Sequence, residues 1–120
     1  MVMRRRHDES SLQQRCVKWF RYQHQHLALN LIAIPNGGAR NIIEAAIMKG
    51  EGVTAGASDL FLFVANSQYH GLAIEMKIKD GVWRDTQKTW AAAVEAQGYK
   101  YIVVRNFDQF TQEVEDYLNS

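Results

Sequence analysis

The chain has 120 residues, of which 47% are hydrophobic, and its formal net charge is +1. This is enough apolar material for one core, too little length for a second domain, and too little charge to indicate a nucleic-acid partner by itself. No apolar run approaches the roughly 18 residues of a transmembrane helix, and the start of the chain lacks the apolar segment of a secretory signal. We therefore expect one soluble, cytoplasmic domain over residues 1–120 with no membrane partner.

The charge is spread unevenly along the chain. Residues 1–21 carry six basic and two acidic side chains, a net charge of +4, whereas residues 106–120 carry −4. We expect residues 1–7 to form a flexible basic arm that helps to neutralise phosphates, although a charge run is as often an ordinary solvated face. The single cysteine, Cys16, excludes an internal disulfide, and its place in an amphipathic pattern predicts a buried side chain.

Hydrophobic periodicity and turn residues predict eight elements. In chain order they are a helix over 8–26, a strand over 27–34, a helix over 41–49, a strand over 60–64, a strand over 72–78, a helix over 85–97, a strand over 99–104 and a helix over 108–118. Asp85 is expected to cap the third helix, while Gly50 and Gly98 are expected to end the second and third. The order α-β-α-β-β-α-β-α predicts an α/β fold, a mixed β-sheet flanked by helices. The His24 and His26 side chains diverge on a helix, so a surface pair is expected there.

The most informative pattern lies in the two central strands. Large apolar residues alternate from position 72 to 78, so Ala73, Glu75 and Lys77 share the other face. Asp59 opens the preceding strand, and a loop of about five residues around 66–68 would pair the two strands as a hairpin. In that register Asp59 lies opposite Glu75, with the Lys77 ammonium alongside.

Two carboxylates facing each other repel and raise one pKa unless a cation lies between them. Hard oxygen ligands suit Mg²⁺ or Mn²⁺, so the pair Asp59 and Glu75 predicts a divalent-metal site. The competing reading is an ordinary exposed ion pair, which is what a Glu-x-Lys sequence on a strand usually is. The remaining residues must decide between the two.

Two polar residues stand where such a centre would use them. Glu9 lies in the first turn of the first helix, at the rim of its core-facing stripe, and could supply a third carboxylate; it could equally stabilise the helix dipole alone. Gln87 occupies the first turn of the third helix above the apolar residues Trp90 and Val94. Its amide can bind a carboxylate, a water or a phosphate, although a half-exposed position requires none of these.

Together these residues resemble the VRR-NUC nucleases, a family of the PD-(D/E)xK superfamily. The resemblance covers most of the chain, and its pieces are Glu9, Pro35-Asn36-Gly37-Gly38 with Arg40, residues 46–60, Glu75-Met76-Lys77, and Gln87 with Trp90. The resemblance implies a restriction-endonuclease-like core in which the helix at 41–49 is an insertion. One departure is Ser58, because the family usually has proline before the aspartate. Serine can hold the same extended backbone, so we expect a slightly freer loop and retained activity.

The resemblance also implies a mechanism, a divalent-metal-dependent hydrolysis of DNA phosphodiesters that leaves 5′-phosphate products. The implied ligands of Mg²⁺ or Mn²⁺ are the carboxylates of Glu9, Asp59 and Glu75 and the backbone carbonyl of Met76. Lys77 would orient or deprotonate the attacking water, and Gln87 would position Lys77 or the scissile phosphate.

The DNA partner is less defined, since no base-reading motif is present and recognition by backbone and shape is the default. The nucleic-acid-binding candidates are Asn36, Gly37, Arg40, Lys79 and Arg84. Stand-alone members of the family resemble Holliday-junction resolvases, which implies branched DNA as the substrate, no small-molecule substrate, and a homodimer with two active sites.

Several alternatives stay open. One is a catalytically weak, nuclease-fold DNA-binding module, another is a nicking or flap nuclease without junction preference, and a third is an α/β interaction protein without nucleic acid. For the dimer interface, the candidates are Trp83, Tyr69 and the apolar side of the last helix at Phe110, Val114, Tyr117 and Leu118. Packing in the core is the competing expectation for each of them.

Overall fold

The computed structural model describes residues 2–35 and 41–120, with side chains from His7 onward in those ranges. Within them the chain forms helices α1 Val2–Gln23, α2 Ile42–Gly50, α3 Asp85–Glu95 and α4 Phe107–Leu118, and strands β1 Leu31–Ala33, β2 Leu60–Leu62, β3 Leu72–Met76 and β4 Lys100–Val104. The predicted order α-β-α-β-β-α-β-α is confirmed. None of the described helices combines the length and apolar character needed to cross a lipid bilayer.

The four strands form one mixed sheet in the order β1-β2-β3-β4. The β1–β2 and β2–β3 pairs are antiparallel, and β3–β4 is parallel. The crossover from β3 to β4 contains α3, as a parallel connection requires. Strand β3 is central because it pairs with β2 on one side and β4 on the other, and all five of its residues are buried.

One face of the sheet packs against α1 and α4. The core on this side contains the alternating β3 residues Leu72, Ile74 and Met76, together with Cys16 and Phe20 from α1. Burial of each large apolar side chain stabilises the fold by about 1.5–3 kcal/mol. The predicted burial of Cys16 is confirmed, and burial raises the pKa of its thiol to about 12.

The apolar side of α4 belongs to the same core. Phe110, Val114 and Tyr117 are buried, and Leu118 packs against them. The Tyr117 hydroxyl donates a hydrogen bond of 2.6 Å to the Val64 carbonyl. Core packing is therefore what these four residues do within the chain.

The opposite face, which we call the site face, carries Asp59, Glu75 and Lys77. Helix α3 covers it over β3 and β4, where Trp90 contacts Tyr101 edge to face with ring centroids 6.2 Å apart. Over β1 and β2 it remains open, since Ile32 and Phe63 are exposed. The sheet thus has one closed apolar face and one partly open face.

The first helix and first strand differ from their predicted bounds. Helix α1 begins at Val2, because the Arg-rich segment expected to form an arm contains good helix formers and no Gly or Pro, and ends at Gln23. Residues Gln25–Asn30 form a 3₁₀ helix, leaving only Leu31–Ala33 as strand. The apolar run 27–34 divides because Leu and Ala at its start favour helical backbone, whereas Leu31 and Ile32 pair with β2.

The predicted histidine surface pair is wrong for one of its members. His26 is exposed, but His24 is half-buried, and its Nε2 contacts the Glu115 carboxylate of α4. The ring of His24 also lies against Trp19 and Phe20. His24 therefore joins the end of α1 to α4.

Helix ends also differ in detail. Asn41 caps α2 by accepting a hydrogen bond from the Glu44 backbone, while Gly50 is its last residue, and the left-handed glycine is Gly52, with φ +108°. The N-cap of α3 is Arg84 rather than Asp85. Helix α2 has no buried residue, and Ile42 is 87% exposed.

Candidate active site

Asp59 and Glu75 are neighbours across the β2–β3 hairpin. The pair Leu60↔Ile74, continued by one residue, brings Asp59 opposite Glu75, as the sequence predicts. Asp59 Oδ2 accepts a hydrogen bond of 2.7 Å from the Met76 backbone N–H. Because N–H and C=O of one strand residue point to the same side, the Met76 carbonyl is directed toward the Asp59 side of β3.

The Glu75 carboxylate is almost completely enclosed. The residue is 3% exposed, and its Oε2 accepts a hydrogen bond of 3.0 Å from Gln87 Nε2. The Lys77 Nζ lies 3.9 Å from the same oxygen. The other oxygen, Oε1, is buried and accepts no hydrogen bond from an N–H or hydroxyl group of the described residues. A buried carboxylate oxygen that accepts no hydrogen bond destabilises the folded protein. The Oε1 atom of Glu75 is therefore available to coordinate a cation.

The charge balance at Glu75 disfavours its ionised form. Burial, and after it the charge of the neighbouring Asp59 carboxylate and a hydrogen bond between the two carboxyl groups, raise the pKa of Glu75 to about 9, although the Lys77 ammonium opposes this rise. The Glu9 carboxylate also contributes to the rise. A cation bound between the carboxylates would remove this penalty, which is the electrostatic signature of a metal site.

Lys77 follows β3 and is 7% exposed. Its backbone N–H donates to the Val104 carbonyl at 2.9 Å, which extends the β3–β4 ladder by one residue. The ladder thus fixes the backbone from which both Glu75 and Lys77 project. A buried ammonium at a fixed position beside a carboxylate matches the predicted placement.

Glu9 is the eighth residue of α1, so its predicted place in the first turn is wrong, because the helix begins at Val2. Its carboxylate lies beside the turn that follows Lys77. A methyl group on Gly81 would lie 3.2 Å from Glu9 Oε2 and 3.1 Å from Lys77 Cδ, so Gly81 separates the two side chains. The Arg105 Nη1 donates to the carbonyls of Ile78, at 3.2 Å, and Gly81, at 2.9 Å. Arg105 therefore holds the turn 78–81 against Glu9 and Lys77.

The three carboxylates are near each other without forming a closed ligand set. Among the side chains that the structure describes, no group of three or more His, Cys, Asp or Glu is arranged to hold one metal ion. Asp59 and Glu75 converge, whereas Glu9 lies at the neighbouring Gly81 turn. The donor set consists of hard oxygens with one unpartnered buried atom, which fits Mg²⁺ or Mn²⁺.

Gln87 links the start of α3 to Glu75. Its Oε1 accepts a hydrogen bond of 2.8 Å from the Arg84 backbone N–H, which caps the helix, while its Nε2 reaches Glu75. Of the two positioning roles expected for its amide, the one toward phosphate stays a prediction, and in place of the one toward Lys77 its described contact is to the Glu75 carboxylate. The predicted reach of this amide to a carboxylate is present.

The loop before Asp59 is held from two directions. Gly56 has φ +89°, and a methyl group there would lie 2.3 Å from the Thr86 carbonyl oxygen, so this loop touches the first turn of α3. Ser58 is buried, and its hydroxyl donates to the Leu60 carbonyl at 2.9 Å. The Ser58 hydroxyl thus makes a hydrogen bond that a proline at this position could not make.

The nucleic-acid-binding candidates fall into two groups. Lys79 and Arg84 are exposed in the segment between β3 and α3, next to the site in the chain. Asn36, Gly37 and Arg40 lie outside the described residues.

Two residues at the site, Tyr101 and Arg105, were not predicted from the sequence, and Gly56 was predicted only as part of the stretch 46–60. Gly56 and Arg105 act through backbone contacts to segments more than twenty residues away. Any aromatic residue would fit the hydrophobic alternation of β4 at position 101, so the alternation does not indicate a functional tyrosine. The sequence could have indicated one only through the hydroxyl group, which lies on the same face of the sheet as Glu75.

Comparisons with known proteins agree with this geometry. The sequence profile of the VRR-NUC domain matches residues 1–108. A solved structure described as a VRR_NUC domain protein superimposes with a TM-score of 0.80 at 26% sequence identity, covering 92% of this chain and 88% of the other. The sequence has no significant match among curated proteins.

Proposed function

This chain belongs to the VRR-NUC domain family, and we propose that it is a divalent-metal-dependent, structure-selective DNA endonuclease that acts on branched DNA. The observation that carries the proposal is the buried Glu75 carboxylate. It faces Asp59, lies 3.9 Å from the Lys77 ammonium and has one oxygen without a partner among the described residues. A merely structural ion pair would have little reason to keep that oxygen unsatisfied in a buried place.

The residues of the site divide the chemistry among them. Asp59 and Glu75, with Glu9 and the Met76 carbonyl, would hold Mg²⁺ or Mn²⁺. The bound ion would neutralise charge on the phosphate and make water a stronger nucleophile. Lys77 would orient the attacking water and stabilise charge on the phosphate, while Gln87 keeps Glu75 in place. The proton of the attacking water would pass to solvent, and a solvent water would protonate the leaving O3′. Water attacks phosphorus in line, the bond from phosphorus to O3′ breaks, and a 5′-phosphate and a 3′-hydroxyl result.

A thermal experiment tests for the metal site. Mg²⁺ or Mn²⁺ should raise the melting temperature of the wild type, because binding relieves the repulsion between Asp59 and Glu75. Asp59→Ala should lose this increase, whereas Asp80→Ala, which removes an exposed acid of the neighbouring turn, should keep it. An equal metal response in wild type and Asp59→Ala would sink the proposal.

A cleavage experiment tests the substrate. Labelled four-way junction, flap and linear duplex of matched sequence are incubated with Mn²⁺ and either the wild type or Lys77→Ala. The proposal predicts that wild type cuts the junction preferentially and that Lys77→Ala does not cut. If the flap or the duplex is cut as fast as the junction, the protein is a nicking or flap nuclease without junction selectivity. A gel shift without any cleaved product would indicate a DNA-binding module.

The proposal includes a homodimer, because paired cuts across a four-way junction need two active sites related by a two-fold axis. Light scattering on the eluted protein measures this directly. The mass of one chain, 13.8 kDa, would contradict the dimer if it persisted in the presence of junction DNA.

A further inference from the structure

Tyr101 lies beside the carboxylate pair on the site face. In the parallel β3–β4 register it stands next to Ala73, two residues before Glu75 on the same face. Because Ala73 carries only a methyl group, the tyrosine ring has space above β3 in the direction of Glu75. Its ring is held between Trp83, with centroids 5.9 Å apart and planes at 29°, and the edge of Trp90.

The hydroxyl of Tyr101 is oriented by one hydrogen bond. It accepts from Trp83 Nε1 at 3.2 Å, and it donates to no acceptor in the part of the chain whose side chains are described. Burial, followed by the charges of Glu75 and Asp59, raises the pKa of Tyr101 despite the opposing bond from Trp83. The group therefore stays protonated and is a neutral donor with a free proton beside the carboxylates.

Resting on the proposed nuclease function, we propose that the Tyr101 hydroxyl donates a hydrogen bond to a non-bridging oxygen of the scissile phosphodiester, with Trp83 as its positioning residue. A phosphate entering this site meets the negative charge of Asp59 and Glu75. Donors directed at its oxygens must offset that repulsion, and they act most strongly as charge builds up in the transition state. A neutral phenol does so without competing with a cation for the carboxylates.

The first test removes one oxygen atom. Tyr101→Phe keeps the ring contacts, so its melting temperature should remain close to that of wild type. The single-turnover cleavage rate should fall on the order of 100-fold, as for loss of one oxyanion donor. Tyr99→Phe is the matched control, because Tyr99 immediately precedes the same strand and packs on Phe61 and His70 instead; its rate should be unchanged.

The second test asks which atom receives the bond. Stereopure phosphorothioates at the mapped cleavage position replace one non-bridging oxygen by sulfur, a poorer acceptor. In wild type, the diastereomer with sulfur facing Tyr101 should be cut more slowly, and in Tyr101→Phe this additional decrease should disappear. Trp83→Phe, which keeps an aromatic ring but removes the indole N–H, should reduce the rate by less than Tyr101→Phe.

The outcomes separate this inference from the function on which it rests. Wild-type cutting with full activity in Tyr101→Phe, or an identical sulfur effect in both proteins, overturns the role of Tyr101 alone. If wild type cuts nothing, the proposed function fails, and DNA affinity measured by fluorescence anisotropy in Ca²⁺ still tests the hydrogen bond. Several-fold weaker binding by Tyr101→Phe supports it, and equal binding overturns it.

Discussion

Gln87 Nε2 donates a hydrogen bond of 3.0 Å to Glu75 Oε2, while the other end of the same amide caps α3 at the Arg84 backbone N–H. One side chain therefore sets the position of the helix and of the carboxylate together. Because the amide nitrogen already occupies Oε2, only Oε1 remains without a partner in the described chain. The bond thus selects which oxygen of Glu75 is available to a ligand.

Gln87→Ala should lower activity more than stability. Loss of the helix cap costs about 1 kcal/mol of unfolding free energy, whereas loss of a residue that orients a metal ligand lowers activity about 10- to 100-fold. Urea unfolding and single-turnover cleavage measure the two effects. Asn66 is a matched control, since its amide accepts from the Gln68 and Tyr69 N–H groups and donates to the Tyr117 carbonyl in the loop between β2 and β3. Asn66→Ala should lose similar stability with near wild-type activity; equal activity loss in both variants would contradict a specific role for Gln87.

Gly56→Ala should disrupt the contact between the loop before Asp59 and α3. The new methyl group would lie 2.3 Å from the Thr86 carbonyl oxygen, at a φ of +89° that already disfavours a side chain. Backbone strain alone costs about 1–3 kcal/mol, so the total loss of unfolding free energy should exceed about 3 kcal/mol. The displaced first turn carries Gln87, so cleavage should also fall under conditions where the variant is folded.

Gly52→Ala separates the two causes of that loss. Gly52 has φ +108°, but no atom lies within 4 Å of the methyl position. This variant should therefore show the strain and no clash, with cleavage at the wild-type rate. Equal destabilisation by both substitutions in urea titrations would mean that the close approach of Gly56 to Thr86 is unimportant.

The hairpin at the site could be predicted from sequence because its information is local. Alternation from Leu72 to Ile78 defines the face of Glu75, and the predicted register, which brings Asp59 opposite, is confirmed by the β2–β3 pairing. The connection is longer than the predicted five residues, since β2 ends at Leu62 and β3 begins at Leu72. The mixed sheet flanked by helices followed from the same periodicity. These features depend on residue spacing, which a single sequence displays.

Contacts between distant segments could not be predicted in this way. One example is the approach of Gly56 to Thr86, and another is the position of Gly81 between Glu9 and Lys77. Both depend on the path of the chain through its turns, which the spacing of residues in the sequence does not determine. The division of the run 27–34 into a 3₁₀ helix and a three-residue strand was missed because apolar content does not distinguish the two over so few residues.

Glu75 should make the metal-free protein less stable as pH rises. Its pKa increases from 4.5 to about 9 on folding, through burial and then the Asp59 charge. Between these values the folded state binds a proton that the unfolded state has lost, so unfolding free energy falls with increasing pH across that window. Melting curves in EDTA from pH 5 to 9 should show this decline, and Glu75→Gln should show a shallower one.

The same linkage predicts how metal acts. Mg²⁺ competes with the proton on Glu75, so the increase in melting temperature on adding Mg²⁺ should grow from pH 6 to pH 8.5. Other titrating groups are shared by wild type and Glu75→Gln, so the difference between their curves isolates this carboxyl. Parallel curves for the two proteins would contradict a raised pKa at Glu75.

Gly81→Ala should displace the Glu9 or Lys77 side chain with little cost in stability. The methyl group would lie 3.1 Å from Lys77 Cδ and 3.2 Å from both Glu9 Oε2 and the Ile78 carbonyl, distances that move flexible side chains more readily than backbone. We expect a loss of about 1 kcal/mol in unfolding free energy and a clear loss of cleavage. Gly50→Ala, at a helical position with no atom within 4 Å, should be neutral or stabilising and fully active.

A double-mutant cycle identifies which side chain the methyl group displaces. If Gly81→Ala acts by moving Glu9, it should raise the Mn²⁺ concentration needed for half-maximal cleavage, and it should add little in a Glu9→Gln background. If it acts by moving the Lys77 stem, the maximal rate should fall at saturating Mn²⁺ in both backgrounds. Because Arg105 holds the same turn from the other side through the Gly81 carbonyl, Arg105→Ala should reproduce the Gly81→Ala pattern in weaker form. A change in DNA affinity alone would instead indicate that Arg105 contacts phosphate and that the turn needs no such support.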